Sequence, residues 1–391
     1  MEIGKLFYPG FNRSFEELSS IEVKNENLIE IADFTDIEWV RSAIRELINE
    51  QNSDIEVTFK EPTEEDILQV SKIVGADKTP DEAKNEFNTG KRIIGIASGK
   101  GGVGKSTITS LLALAFSEQG KKVGILDADI WGFSIPKMLG AKFPPIPFNN
   151  RIFPSKINKL NVISMEYFVK QDEAVIWRGP MLHKAIEQFL YEVLWQDIDV
   201  LLIDMPPGTG DVSISLSQFL NFYETIILTT PQSNATVVAE RAGIMSRKVN
   251  SSIIGVIENM SHIELGDSKL YPFGKGGGEV LSENLKVPLI GQLPLIEDVS
   301  KLSEKGRLND FIKDDLFKNV LDAKKNYIDN LYKIYSALSY KRTLARGYSI
   351  IRDKKMNLVT SKTSAIKAHE LSIEFSAVSY THLTLPTSDL V

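Results

Sequence analysis

Residues 92–120, RIIGIASGKGGVGKSTITSLLALAFSEQG, decide how this chain folds. An apolar run, RIIGIA, passes into Ser98-Gly99-Lys100-Gly101-Gly102-Val103-Gly104-Lys105-Ser106-Thr107 and then into a helical stretch, ITSLLALAFSEQG. The loop fits G-x-x-x-x-G-K-[ST] in the strand–loop–helix setting that the motif requires. Glycines let successive backbone N–H groups turn inward around phosphate oxygens, where a side chain would collide. The helix N-terminus adds the positive end of its dipole. Lys105 is placed to neutralise the β- and γ-phosphates of a nucleotide, and the Ser106 hydroxyl to ligate Mg²⁺.

Outward from the loop, KKVGILD, DVLLID, ETIILT and SIIGVIE repeat the pattern. Each run is short, nearly all apolar and followed by a helical segment, as in a parallel sheet covered on both faces. The expected fold class is α/β with a mostly parallel sheet, its ligands gathered at the carboxyl ends of the strands. LDAD sets Asp127 and Asp129 at the end of the strand after the loop, and VLLID ends in Asp204 directly before PPGTGD. Acids closing apolar strands beside a phosphate loop are the expected Mg²⁺ holders, with Asp129 placed for the metal or the attacking water. No residue reads as a dedicated general base, which suits phosphoryl transfer driven by positioning and electrostatics.

Lys100 is an extra lysine early in the loop. Gly99-Lys100-Gly101-Gly102 resembles the deviant Walker A loop of the signature-lysine ATPases, in which this lysine reaches the phosphates bound by the other subunit of a nucleotide-sandwich dimer. The resemblance implies an ATP-dependent homodimer in which Lys100 and Lys105 stabilise charge. DADIWGFSIPKMLG (127–140), VIWRGPMLHKAIEQFL (175–190), LLIDMPPGTGDVSISLSQ (201–218) and TTPQSNATVVAERAGIMS (229–246) extend the likeness. With GVIENMSHI (255–263), FGKGGGE (273–279) and VPLIGQLPL (287–295), the stretch from about 92 to 308 is similar to the Mrp/ApbC family of P-loop ATPases, regarded as iron–sulfur cluster carriers. That likeness implies a P-loop NTPase fold, slow hydrolysis of Mg-ATP, a cytoplasmic location and iron–sulfur client or scaffold proteins as partners. It also implies contact between Asn259 and the adenine base, beside a nucleotide cradle running from Gly99 to Thr107.

One departure bears on the cluster. The family commonly has a CxxC after its NMS, whereas this chain reads His262-Ile263-Glu264-Leu265-Gly266-Asp267-Ser268-Lys269 and contains no cysteine anywhere. That excludes disulfides, thiolate zinc sites, a cysteine nucleophile and all-cysteine iron–sulfur ligation. His262 is the one ligand of suitable type, with Glu264 and Asp267 nearby, and otherwise reads as a polar loop residue. Direct cluster binding is therefore not expected.

The 391 residues suit two or three domains, and 42% hydrophobic and 25% charged content describe an ordinary globular chain. No apolar run approaches the roughly 18 to 20 residues of a membrane span, and MEIGKLFYPG does not read as a secretory signal. Residues 1–60 read as a small α+β unit: a strand-like IEVKNENLIEIA, a helix over 37–49 and a strand-like DIEVTF. This unit is similar to the small domain that precedes the ATPase in the family. Residues 61–91 read as a short helix plus linker, and 92–315 as the ATPase domain.

A change of charge marks the far boundary. Residues 318–376 carry 12 Lys and Arg against 5 Asp and Glu, in a chain whose net charge is -7. LFKNVLDAKKNYIDNLYKIY (316–335) has a basic amphipathic pattern, expected to pack on a partner helix. The alternative is a membrane or DNA surface, the mark of a positioning or partition ATPase. Residues 320–376 resemble the carboxyl-terminal end of the exonuclease VII large subunit without its catalytic region, so no nuclease activity is implied. Arg342, Arg346 and Arg352 are of a type to touch phosphates, but nucleic acid is not an expected partner without a complete domain. VSYTHLTLPT (378–387) is similar to a translated sequencing adaptor, so 377–391, with His382, is set aside from the fold, and the join near 316 reads as a chimera of two genes.

Overall fold

The computed structural model describes residues 2–87, 91–130, 132–168, 179–195, 198–208, 210–249, 251–265 and 268–313, together with the strand segments 350–353, 371–374 and 379–383. Strands β1 (Ile21–Asn25), β2 (Leu28–Ala32) and β3 (Glu56–Lys60) form a small sheet in that order. The stretch expected as a single strand is thus a hairpin. Asn25 Oδ1 accepts from the Asn27 N–H at 2.9 Å, an Asx turn that folds β1 back antiparallel on β2. Helix α1 (Glu38–Gln51) buries Val40, Ile44 and Ile48, one face at helical spacing, and crosses to β3, which lies parallel to β2.

The segment 61–91, read as a short helix and linker, holds two helices, α2 (Glu64–Val74) and α3 (Pro80–Phe87). Thr63 and Asp66 form a reciprocal capping box, and Gly75 closes α2 at φ 76°. Thr79 and Glu82 exchange the same pair of bonds ahead of α3. Val70, Val74 and Ala76 join Tyr8, Phe11 and Phe15 in the amino-terminal core, so that core extends past residue 60. Phe148 and Phe153, from the hairpin of β6 (Ile146–Phe148) and β7 (Arg151–Phe153), stack edge-on or tilted against Phe11 and join the two parts of the molecule.

The main sheet is built as the apolar runs require. It contains β4 (Arg92–Ser98), β5 (Val123–Asp127), β8 (Ser155–Ile157), β9 (Leu160–Ser164), β10 (Val200–Asp204), β11 (Glu224–Thr229), β12 (Ser252–Glu258) and β15 (Leu289–Gln292). Their order is β15-β12-β11-β4-β10-β5-β9-β8, parallel throughout except for the edge strand β8. Every residue of β5 and β10 is buried. One face is covered by α6 (Gly179–Tyr191), α7 (Asp211–Phe219), α8 (Ser233–Lys248) and α9 (Gly277–Leu285). The other is covered by α4 (Lys105–Glu118), α5 (Ile135–Leu139), α10 (Glu297–Glu304) and α11 (Leu308–Lys313). Helix α4 carries the glycine loop at its head and is buried along most of its length, so the loop is anchored directly on the core.

Beyond β12, a two-stranded hairpin of β13 (Ile263–Leu265) and β14 (Ser268–Leu270) stands at the sheet's edge. A separate sheet pairs β16 (Ile350–Asp353), β17 (Leu371–Glu374) and β18 (Ser379–Leu383) antiparallel. Strand β18, with His382, lies in the stretch set aside as adaptor-like. Tyr380 and Thr381 are residue types of high strand propensity. The basic stretch 316–335, Arg342 and Arg346 lie outside the described residues.

Candidate nucleotide site

The loop between β4 and α4 sits at the carboxyl ends of β4, β10 and β5. Gly99 is required by packing: a Cβ there would stand 2.2 Å from the Val238 carbonyl carbon of α8. Gly101 and Gly102 face open space, with nothing within 4 Å of a built Cβ, so their backbone is free to approach a ligand. Gly102 and Gly104 take φ of 78° and 85°, which a side chain resists. Val103 is buried in the core beneath.

Lys105 is the charge centre. Its ammonium lies 2.8 Å from Asp204 Oδ1 and 3.3 Å from Asp129 Oδ2, and all three side chains are buried. Ser106 Oγ donates to Asp204 Oδ2 at 2.5 Å, and Thr109 Oγ1 donates to Asp204 Oδ1 at 3.2 Å. Burial raises the Asp204 carboxyl, against which the Lys105 ammonium and the Ser106 hydroxyl work. Thr107 Oγ1 turns aside to Met138 Sδ at 3.8 Å.

Asp127 does not join this group. Its carboxylate accepts from Ser164 Oγ at 3.0 Å and from the Ser134 and Ile135 N–H groups, tying down the chain that follows Asp129. Burial, then the neighbouring Asp204, push it up to about 7. Lys100 is half-buried and donates to Gln232 Oε1 of its own chain at 3.0 Å, at the head of α8. Asn259 Nδ2 donates to the Val103 carbonyl at 2.9 Å, bracing the loop from the end of β12. Beside it opens a cavity of about 390 Å³, bordered by Gly104, Thr107, Asn259, Pro294, Leu295 and Val299.

The structure thus brings together Gly99 to Thr107, Asp129, Asp204 and Asn259, and keeps His262 and, in β13, Glu264 apart from them. Asp267 lies outside the described residues. Three side chains went unnoticed in the sequence. Thr109 stands one helical turn after Lys105, a spacing that signals a shared face. Gln232 gave no such signal. Glu258, like Asp204, ends an apolar strand, so the same signal pointed to it.

A family model described as NUBPL iron-transfer P-loop NTPase matches residues 89–330, running past residue 316, near which a join of two genes was expected. An iron-sulfur cluster carrier protein of Mycobacterium leprae is 48% identical over 215 residues, 53% of this chain and 56% of that protein. The chain therefore spans little more than half of that relative's length. A Rickettsia bellii protein of the same name is 37% identical over 302 residues, 76% of this chain and 89% of its own. Among solved structures, a nucleotide-binding protein from Archaeoglobus fulgidus in complex with ADP is similar at a TM-score of 0.52 and 34% identity, covering 62% of this chain and 97% of that one. Matched by that family model over more than half its length, the chain belongs to the NUBPL iron-transfer P-loop NTPases.

Proposed function

We propose that this chain binds Mg-ATP at the glycine loop and hydrolyses it as a homodimer, serving iron–sulfur cluster carriage in the cytoplasm. The meeting of Lys105, Ser106, Asp129 and Asp204 at the mouth of the loop carries the reading. A hydroxyl and two carboxylates are the hard oxygen set that Mg²⁺ prefers, and the open sides of Gly101 and Gly102 leave the loop's amides unobstructed. Ser106, Asp129 and Asp204 would hold the ion, whose charge offsets that of the β- and γ-phosphates.

An arriving phosphate takes the Lys105 ammonium from its two carboxylates. Asp129, released, orients the attacking water, while Lys105 holds the charge that builds on the transferred phosphoryl oxygens. Lys100 leaves Gln232 to reach the phosphates of the partner's nucleotide. The adenine base takes the cavity beside Asn259. A cluster, as cargo, finds no thiolate in this chain, so its ligands come from a client or scaffold protein. No helix among the described residues is long and apolar enough to cross a membrane.

Thermal unfolding with and without nucleotide tests the site. At about 100 times its Kd, Mg-ATP adds about 2.7 kcal/mol to the stability of the wild type. Lys105→Ala abolishes that gain, and an unchanged shift would place the nucleotide elsewhere. Lys100→Ala keeps most of the binding and loses the dimer-dependent hydrolysis.

A further inference from the structure

Lys100 and Lys105 belong to one loop but turn to opposite sides of β4. In the order of the sheet, β11 lies on one side of β4, and β10 with β5 on the other. Lys105 turns toward Asp204, at the end of β10, and Asp129, just past the end of β5, and is matched by two carboxylates. Lys100 turns toward the segment that follows β11 and meets Gln232, the residue ahead of α8. An ammonium can only donate, so the acceptor at 3.0 Å is the amide oxygen. The first turn of α8 contains no acid, and the positive end of a helix dipole does not favour a cation. Lys100 is thus held by a neutral acceptor, where a charged one would bind about twice as strongly.

Both ends of this contact are fixed in the backbone, which leaves only the side chains to move. On the loop, the Lys100 carbonyl accepts from Ser98 Oγ at 3.1 Å. Gly99 is pressed against α8, where a Cβ would lie 2.3 Å from the Ala239 nitrogen. On the other side, the Gln232 carbonyl accepts from the Ala235 and Thr236 N–H groups at 2.9 and 3.1 Å, and a Cβ on Gly277 would lie 2.5 Å from the Pro231 carbonyl oxygen. The Gln232 side chain itself makes no capping bond to α8. We propose that Gln232 is a latch, a positioning residue that holds Lys100 in its own subunit and yields it to a phosphate anion carried by a second copy of this chain. The latch presupposes the homodimer proposed above, in which Lys100 serves the partner's nucleotide. A phosphate oxygen, being charged, outcompetes the amide, whereas an empty partner offers nothing that draws the lysine away. Each opening costs the latch bond, so Gln232 raises the concentration of nucleotide-loaded chain at which hydrolysis begins.

The test compares the full chain with Gln232→Ala and Gln232→Glu at saturating Mg-ATP, with the chain concentration varied. Neither substitution removes a capping bond, and an acid ahead of a helix suits its dipole, so both variants are expected to fold. Gln232→Ala is expected to lower the chain concentration of half-maximal hydrolysis at least about fivefold, and Gln232→Glu to raise it at least about fivefold. The maximal rate stays the same in both, whereas damage to the site would lower it. Competitive acetylation of the chain without nucleotide, read by mass spectrometry, reports the latch itself. Relative to the exposed Lys121, Lys100 reacts faster in Gln232→Ala and more slowly in Gln232→Glu. Hydrolysis by the wild type that does not depend on chain concentration overturns the homodimer and the latch together. A concentration dependence that both variants leave unchanged or shift in the same direction, or an unchanged reactivity of Lys100, overturns the latch alone.

Discussion

Asp204 and Glu258 close two apolar strands of one parallel sheet, and both are buried, yet their charges are met in different ways. Asp204 faces the Lys105 ammonium and two hydroxyls. Glu258 faces neutral donors: the Gly278 N–H at 2.5 Å, near the start of α9, and Gln292 Nε2 at 3.1 Å. Burial raises both carboxyls, opposed by Lys105 in the first case and by the Gly278 amide in the second. An acid matched to a lysine can release that lysine to a phosphate and then take up a metal. An acid matched to helix amides braces a joint. Gly278 shows how tight that joint is, since a Cβ there would lie 2.7 Å from the Glu258 side chain.

The comparison breaks most readily at Asp204. Asp204→Asn keeps the shape and removes the charge, so the rate of phosphate release is expected to fall by about a hundredfold or more. Steady-state hydrolysis at saturating Mg-ATP checks this. Equal losses in Asp204→Asn and in Glu258→Gln would mean that the two acids are not divided as their partners suggest.

Asp127 sharpens the contrast as a third strand-end acid, met by a hydroxyl and three backbone amides. Its folded carboxyl is pushed up to about 7, above the unfolded value of 3.8. The folded chain therefore holds a proton that the unfolded chain releases, and stability falls as pH rises through this interval. Asp127→Asn carries no such proton. Between pH 5 and pH 8 the difference in stability is expected to move toward the variant by about 3 kcal/mol. Urea unfolding of both chains in chelator reads it, and a difference independent of pH would show that the carboxylate is ionised throughout.

These three acids also show what the sequence made legible. The glycine loop, the alternation of apolar runs and helices, and the meeting of Lys105 with Asp129 and Asp204 follow from local pattern, because strand ends and helix starts lie at fixed chain positions. The division of labour among Asp127, Asp204 and Glu258 does not. It depends on which donor arrives from across the fold, such as Ser164 from β9 or Gln292 from β15. The amino-terminal hairpin and the second helix of 61–91 were missed for another reason. Their signals were side-chain caps, Asn25 with Asn27 and Thr79 with Glu82, that compete with weak periodicity. His262 was legible as a ligand type, whereas its burial beside Ser261 was not.

Glu258→Gln should have the smallest effect. The amide oxygen still accepts from the Gly278 N–H, and the amide nitrogen can donate to Gln292 once that side chain turns over. What is lost is the gain of a charged acceptor over a neutral one at the start of α9, about 1 kcal/mol. What is gained is relief from burying a carboxylate, and the two nearly cancel. Chemical unfolding should therefore place the variant within about 1 kcal/mol of the wild type, with the stabilisation by Mg-ATP unchanged. A loss of nucleotide stabilisation without a loss of fold would make Glu258 part of the nucleotide site. Its route would be short, because Glu258 is the residue before Asn259, whose amide holds the Val103 carbonyl of the loop.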